Sequence, residues 1–343
     1  MSVITAGKGE AEPIMTSDKE RTTGRDQPVA YEAVQAEHHA RLGERYFRIF
    51  SEKDLERHLQ ALARLSEERP VEVLLDPRRD GTLDCTVLAF DYPGEFSLIT
   101  GVLAGMGFDI LSGDVFTYEG VPRQKPGRPR ILEKVRERAE IHKRRRIIDH
   151  FSGVFESPLP FDAWSRELRE RMVSVILLLE RGDESSLLEA KRRVYEMVVQ
   201  RLALFHRERE PVLYPVEVEI DHEGDAFTRL KVVAQDTPAF LYALSNALSV
   251  HEVSIEHVRI RTIHGRVEDV VDLVDLQGRR IRDPERLNRI KLSVLLSKQF
   301  TYFLEAAPDP YAAFSRFEQL LADLAGQDRE GSWREWLQNP KLL

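Results

Sequence analysis

A chain of 343 residues, 42% hydrophobic and 31% charged, has room for about two domains and a core that needs neither disulfides nor metals. Its 58 acidic against 50 basic residues give a net charge of −8, which excludes a wholly basic nucleic-acid binder. The single cysteine, Cys85, excludes an internal disulfide and a multi-cysteine metal site. No apolar run nears the roughly 20 residues of a membrane helix, and the N-terminus lacks a signal-peptide apolar region, so a cytoplasmic protein with no membrane contact is expected.

Residues 1–29 are polar and without apolar period, the composition of a disordered tail. Residues 30–70 read as N-terminal helices. One runs from Tyr31 through Val34, Leu42, Tyr46, Phe47 and Phe50. A second opens at Ser51, with Asp54 three positions on, and carries the stripe Leu55, Leu59, Leu62 and Leu65 before Pro70. Val71–Leu75 is a short β-type run closed by Asp76-Pro77 and Asp80-Gly81. Strand-like Cys85–Phe90 then leads through Asp91-Tyr92-Pro93-Gly94 into a helical run over Glu95–Met106. Gly107-Phe108-Asp109-Ile110 opens the next strand.

Adding 145 to each number meets the same pattern again. Ala89 maps to Ala234, Asp91 to Asp236, Pro93 to Pro238, Leu103 to Leu248, Ile110 to Ile255 and Thr117 to Thr262, without a gap from Val87 to Gly120. An internal duplication follows. Further on, Ile147-Ile148-Asp149 matches Val270-Val271-Asp272 at an offset of 123, which predicts an insertion of 22 residues in copy one, around 121–146. Each copy thus reads β-α-β-β followed by helical sequence. After copy one come a helix at Phe161–Leu168, an apolar run Met172–Leu179 read as a fourth strand, and a long amphipathic helix at Ser185–His206. Copy two continues into a helix after Asp283-Pro284 but shows no clear fourth strand. The expected fold class is α+β, with two ferredoxin-like βαββαβ modules and additional helices. The modules are placed at 71–182 and 211–294, the connecting helix at 183–210 and C-terminal helices at 295–343.

The junction between the first strand and its helix is where chemistry concentrates. Proline suits a helix start, glycine permits an unusual φ, and the free amides of a helix N-terminus suit a carboxylate. The plain alternative is a turn that merely begins a helix. Asp91-Tyr92-Pro93-Gly94-Glu95-Phe96, with Leu103 and Gly107-Phe108-Asp109-Ile110, resembles the signature of ACT regulatory domains. The variant is similar to the tandem pair of protein-PII uridylyltransferases, over 83–120 and 228–276. That resemblance implies an amino-acid pocket around Asp91, Pro93, Gly94, Gly107, Asp109 and Ile110, with glutamine the first guess for the ligand. In copy two Ala239 and Glu252 stand where glycines are expected, so its role is read as pairing with copy one. A segment at 295–320, with Ser297-Lys298-Gln299-Phe300, resembles part of glutamine-synthetase adenylyltransferase-like proteins.

The glycine-serine loop and paired aspartates of a nucleotidyltransferase are absent from the sequence, as are a P-loop, a dinucleotide fingerprint and a nucleophile elbow. Asp149-His150 reverses the order of an HD phosphohydrolase and reads as a structural pair at a strand end. His251, His257 and His264 lack metal-ligand spacing, and Cys85 reads as a buried thiol. No metal, cofactor or catalytic activity is expected. Between Pro122 and Arg146 eleven basic residues oppose three glutamates, a local charge of +8. Lys143, Arg144, Arg145 and Arg146 are candidates for contact with phosphate or an acidic protein partner. The rival is a solvated or internally paired segment; nucleic acid is disfavoured because aromatics are missing. Three function classes remain open: an amino-acid sensor in nitrogen metabolism, an ACT-fold interaction scaffold without a ligand, and the regulatory part of a larger nucleotidyltransferase system. Modules, or two chains in a homodimer, are expected to pair edge to edge, because a free sheet edge is a liability.

Overall fold

A computed structural model describes residues 31–119, 144–204, 215–221, 226–237, 239–304 and 307–325. The tail at 1–29, most of the basic insertion including Lys143, and Pro238 lie outside the described residues. No helix among those described is long and apolar enough to cross a membrane.

The chain begins with α1 (Tyr31–Arg41), α2 (Glu44–Ile49) and α3 (Glu52–Ala63). Ser51 caps α3 and exchanges hydrogen bonds with Asp54, the capping box read from the sequence. Module one follows as β1 (Val71–Pro77), β2 (Leu83–Phe90), α4 (Glu95–Gly105), β3 (Phe108–Thr117), β4 (Arg146–Phe155) and α5 (Phe161–Arg181). After the connecting helix α6 (Glu184–Leu204), module two repeats the order. It consists of β5 (Glu217–Asp221), β6 (Thr228–Gln235), α7 (Phe240–Ser249), β7 (Val253–Ile263), β8 (Arg266–Asp275) and α8 (Pro284–Leu304), and α9 (Pro310–Ala325) completes the described chain.

All eight strands form one antiparallel sheet in the order β1-β2-β4-β3-β7-β8-β6-β5. The fold is α+β with two ferredoxin-like modules, and the modules pair edge to edge through β3 and β7. Two expectations are corrected. The fourth strand of each module comes first in the chain: β1 and β5 hairpin onto β2 and β6, filling the edge place that a βαββαβ order gives to its last strand. The run Met172–Leu179 is helical and belongs to α5. Trp164, Leu168, Met172, Val175 and Leu179 keep a spacing of three or four across the whole helix, so the longer period overrides the local β-branched composition. Gly182, in the left-handed region, ends it.

The duplication is exact at the level of backbone. Both β2 and β6, α4 and α7, and β3 and β7 start 145 residues apart, and both second strands are bulged at the same place. On the third strands the register corrects the sequence match. Val87 faces Asp149, while its counterpart Val232 faces Asp269, so the offset falls from 145 to 120 and the insertion is 25 residues. Thr100 on α4 touches Ser245 on α7, Oγ1 to Oγ at 3.2 Å. These two residues occupy the same place in the repeat, so the pair marks the pseudo-twofold axis between the modules.

Helices α4 to α8 cover one face of the sheet. On the other face α1 to α3 cover module one, with the Tyr46 ring on Phe116 and Phe50 against His150. The outer edge at β1 is protected by Arg169, whose Nε donates to the Val73 carbonyl at 3.1 Å.

Candidate functional site

Two clefts lie where the modules meet, and the topology decides which residues build each. In a β-α-β unit the two strands run parallel, so the loop leaving the first strand and the start of the second sit at opposite ends of the sheet. Asp91 to Gly94 and Asp109-Ile110 are therefore separated within module one. The antiparallel β3–β7 seam instead brings the start of β3 beside the loop at the end of β6, and the start of β7 beside the loop at the end of β2.

The first cleft combines the loop of module one with β7. It is filled by Arg145, whose Nε lies 2.8 Å from Asp91 Oδ2 and whose Nη2 lies 2.5 Å from Glu256 Oε2. Below it, Asp149 is fully buried, and neither carboxylate oxygen has a hydrogen-bond partner among the described residues. Burial, and then the charge of Asp91, push its carboxyl well above the usual range. Arg144 forms a two-pronged pair with Glu180 at 2.9 Å, stacks over the Phe90 ring, and shares Glu180 with the Tyr92 hydroxyl. Arg146, buried, binds Glu37 at 2.7 Å. The three described members of the arginine run are thus all held by acidic groups of the same chain.

The second cleft combines the loop of module two with β3. Asp109, Ile110 and Thr100 from module one and Asp236, Thr237, Ala239, Phe240 and Asp269 from module two line about 60 Å³. Behind Thr237 lies Lys298 of α8, fully buried, with Nζ donating to Thr237 Oγ1 at 2.7 Å and sitting 4.1 Å from the Phe240 ring centre. Burial lowers this lysine to about 8, against the opposing pull of Asp236 and Asp269. Burial likewise raises the Asp269 carboxyl to about 7, with Asp236 adding to the rise and Lys298 opposing it. Asp269 occupies the register position of Asp149. The second cleft therefore holds one carboxyl, Asp269, and one ammonium, Lys298, whose charges are poised to change near neutral pH.

Of the expected pocket residues, Asp91 lies in the first cleft, Asp109 and Ile110 in the second. Pro93 is exposed and Gly94 begins α4 with φ 79°. Gly107, φ 75°, is packed against the Glu156 carbonyl. Ala239 and Glu252, with φ 55° and 54°, reproduce the backbone of Gly94 and Gly107. Asp269 and Glu256 were not singled out from the sequence, and Lys298 was named only within the Ser297–Phe300 resemblance, with no role in a pocket. Two of the three left a signal: Lys298 shares a helix face with Ile290, Val294 and Thr301, and Asp269 alternates with Val267 and Val271 on the inward side of β8.

Asp149 and His150 sit within β4 rather than at its end, and as neighbours on a strand they face opposite sides. His251 Nε2 bonds the Ser293 hydroxyl at 2.7 Å, and burial lowers it to about 4. Cys85 is buried and its thiol is pushed up to about 12. Among the described residues no cluster of His, Cys, Asp or Glu is arranged to hold a metal ion.

Fold and clefts together define a tandem pair of ferredoxin-like modules joined through one sheet, with inter-module sites. The chain is similar to bifunctional uridylyltransferase/uridylyl-removing enzymes. It is 28% identical to the one from Gluconobacter oxydans over 66% of this chain and 20% of that protein. For Azospirillum brasilense the figures are 26% identity, 79% and 26%, and for Bradyrhizobium diazoefficiens 25%, 62% and 19%. The chain spans about a fifth of the length of these relatives. No family model and no solved structure matches it.

Proposed function

We propose that this chain is a non-catalytic, cytoplasmic regulatory unit of nitrogen control, whose tandem ACT-like modules respond to a free amino acid, glutamine first among candidates. Support comes from the likeness to a stretch of uridylyltransferase/uridylyl-removing enzymes and from the second cleft. The observation that carries the reading is the pair of buried groups Lys298 and Asp269, with half-buried Asp236 beside them, at a cleft lined by both modules. An ammonium and carboxyl groups in one place suit the two ends of an amino acid. The first cleft already holds a guanidinium between two carboxylates, so the ligand is assigned to the second.

A cleft of about 60 Å³ holds roughly two waters. A ligand must therefore part α7 from β3, and such a change in packing is what couples binding to a signal. The same tight closure favours the rival reading, an interaction scaffold without a ligand. Calorimetry and thermal shift of the full chain against the standard L-amino acids separate the two. The sensor predicts saturable binding by one amino acid, weakened at least about tenfold by Lys298→Met. Absence of any response to any amino acid leaves the scaffold.

A further inference from the structure

A separate cleft of about 310 Å³ opens on the other face of the sheet, between α3 and strands β1, β2 and β4 of module one. Strand neighbours alternate between faces, so Asp84, Thr86 and His150 line this cleft while Cys85, Val87 and Asp149 face the helices that form the inter-module clefts. Its volume reaches the lower range of small-molecule sites, yet its wall is almost entirely polar.

The deepest groups are two imidazoles. His58 is 3% exposed, and its Nδ1 meets the Tyr46 hydroxyl at 2.7 Å. His150 Nδ1 meets Thr86 Oγ1 at 2.9 Å. Tyr46 and Thr86 are shielded from water, and among the described residues these ring nitrogens are the side-chain groups they meet. A buried hydroxyl with one acceptor in reach donates to it. Each ring proton is thereby placed on Nε2. Neither Nε2 has a hydrogen-bond partner among the described residues; Asp84 Oδ2 lies 3.9 Å from that of His150. Two N–H donors are thus left open at the floor of a cavity. Around them stand Asp84, buried and paired with Arg78, and Arg57, which spans Asp76 at 2.9 Å and Asp54 at 3.9 Å near the mouth. Three carboxylates and two guanidiniums leave the wall with one negative charge in excess, which disfavours a simple anion, while donors and carboxylates side by side favour a ligand carrying both signs.

We infer that this cleft binds a small zwitterion of amino-acid type, its carboxylate on the His58 and His150 N–H groups and Arg57, its ammonium on Asp84 and Asp54. The site is specific to module one. Asp84 and Thr86 correspond to Arg229 and Lys231 in module two, and His150 to Val270. It stands independently of the inter-module reading.

The test is an imidazole ¹H–¹⁵N titration of the full chain with the standard L-amino acids one at a time, with succinate and inorganic phosphate as anion probes. One amino acid is expected to shift the Nε2 signals of both His58 and His150 saturably. Arg57→Gln, at a half-exposed position where folding is not at stake, should weaken that binding about tenfold, and Asp84→Asn should do so as well. Lys298→Met should leave it intact, which separates this site from the inter-module cleft. Silence of both imidazoles toward every amino acid overturns the inference, as does equal affinity for succinate or phosphate. Binding that Lys298→Met abolishes belongs to the other cleft and overturns it too.

Discussion

At one end of the β3–β7 seam a guanidinium from the segment leading into β4 lies between Asp91 and Glu256; at the other an ammonium from α8 lies behind Thr237, near Asp236 and Asp269. The backbones are the same, down to left-handed residues at matching positions. Both place an aspartate in the dry interior of the third strand. What differs is the source of the cation. In module one the second helix offers Glu180 to Tyr92 and Arg144, where in module two it offers Lys298 to Thr237, the counterpart of Tyr92. A buried acid creates the same electrostatic demand twice, and the two halves answer it from unrelated parts of the chain.

That contrast can be broken most severely at Arg145. Its removal leaves Asp91, whose side chain is 2% exposed, and Glu256 without their cation. Arg145→Ala should therefore lower unfolding free energy by about 3 kcal/mol or more, read from urea melts. The pH dependence should be nearly as large. Asp269 has a folded value of about 7, against about 4 in an unfolded chain. Its raised carboxyl imposes no penalty below about pH 4, and stability is lost as the pH climbs to about 7, on the order of 3 kcal/mol. Asp149, raised in the same direction, adds to the fall. Asp269→Asn should flatten the decline between about pH 4 and 7, and an unchanged slope would remove Asp269 as its source.

Smaller effects test the shared backbone. A methyl at Gly107 would run into the Glu156 carbonyl, whereas at Gly94 it would meet open space. Gly107→Ala should cost more than about 2 kcal/mol and Gly94→Ala only about 1, the left-handed penalty alone. Smallest is the reverse change. Ala239→Gly relieves that penalty and should raise stability by about 0.5 kcal/mol, because glycine's extra unfolded-state entropy offsets part of the gain.

The repeat was legible because it runs without a gap, and it extends further than the match that first showed it. Val71-Glu72-Val73 recurs as Val216-Glu217-Val218, and the strict alternation through Asp221 marks β5, the strand missed in copy two. Met172–Leu179 was misread because a short apolar run carries no period of its own; the surrounding Trp164 to Leu179 spacing decides it. The division of the expected pocket was hidden for a different reason. Which loop faces which strand start depends on the antiparallel seam between modules, a tertiary fact that no local pattern contains. The partners of Arg144 to Arg146 were equally out of reach, being 36 to 111 residues away along the chain.

Thr100 and Ser245 meet at 3.2 Å across the axis, a contact that two separate copies would make only by finding each other. Joined in one polypeptide, the halves carry their own partner at an effective concentration set by the connecting segment, so their pairing does not weaken on dilution. Tethering also frees each half from having to match itself. Arg145 can lock one seam end while Lys298 keeps the other titratable, an asymmetry that an assembly of identical subunits could reach only by breaking its symmetry.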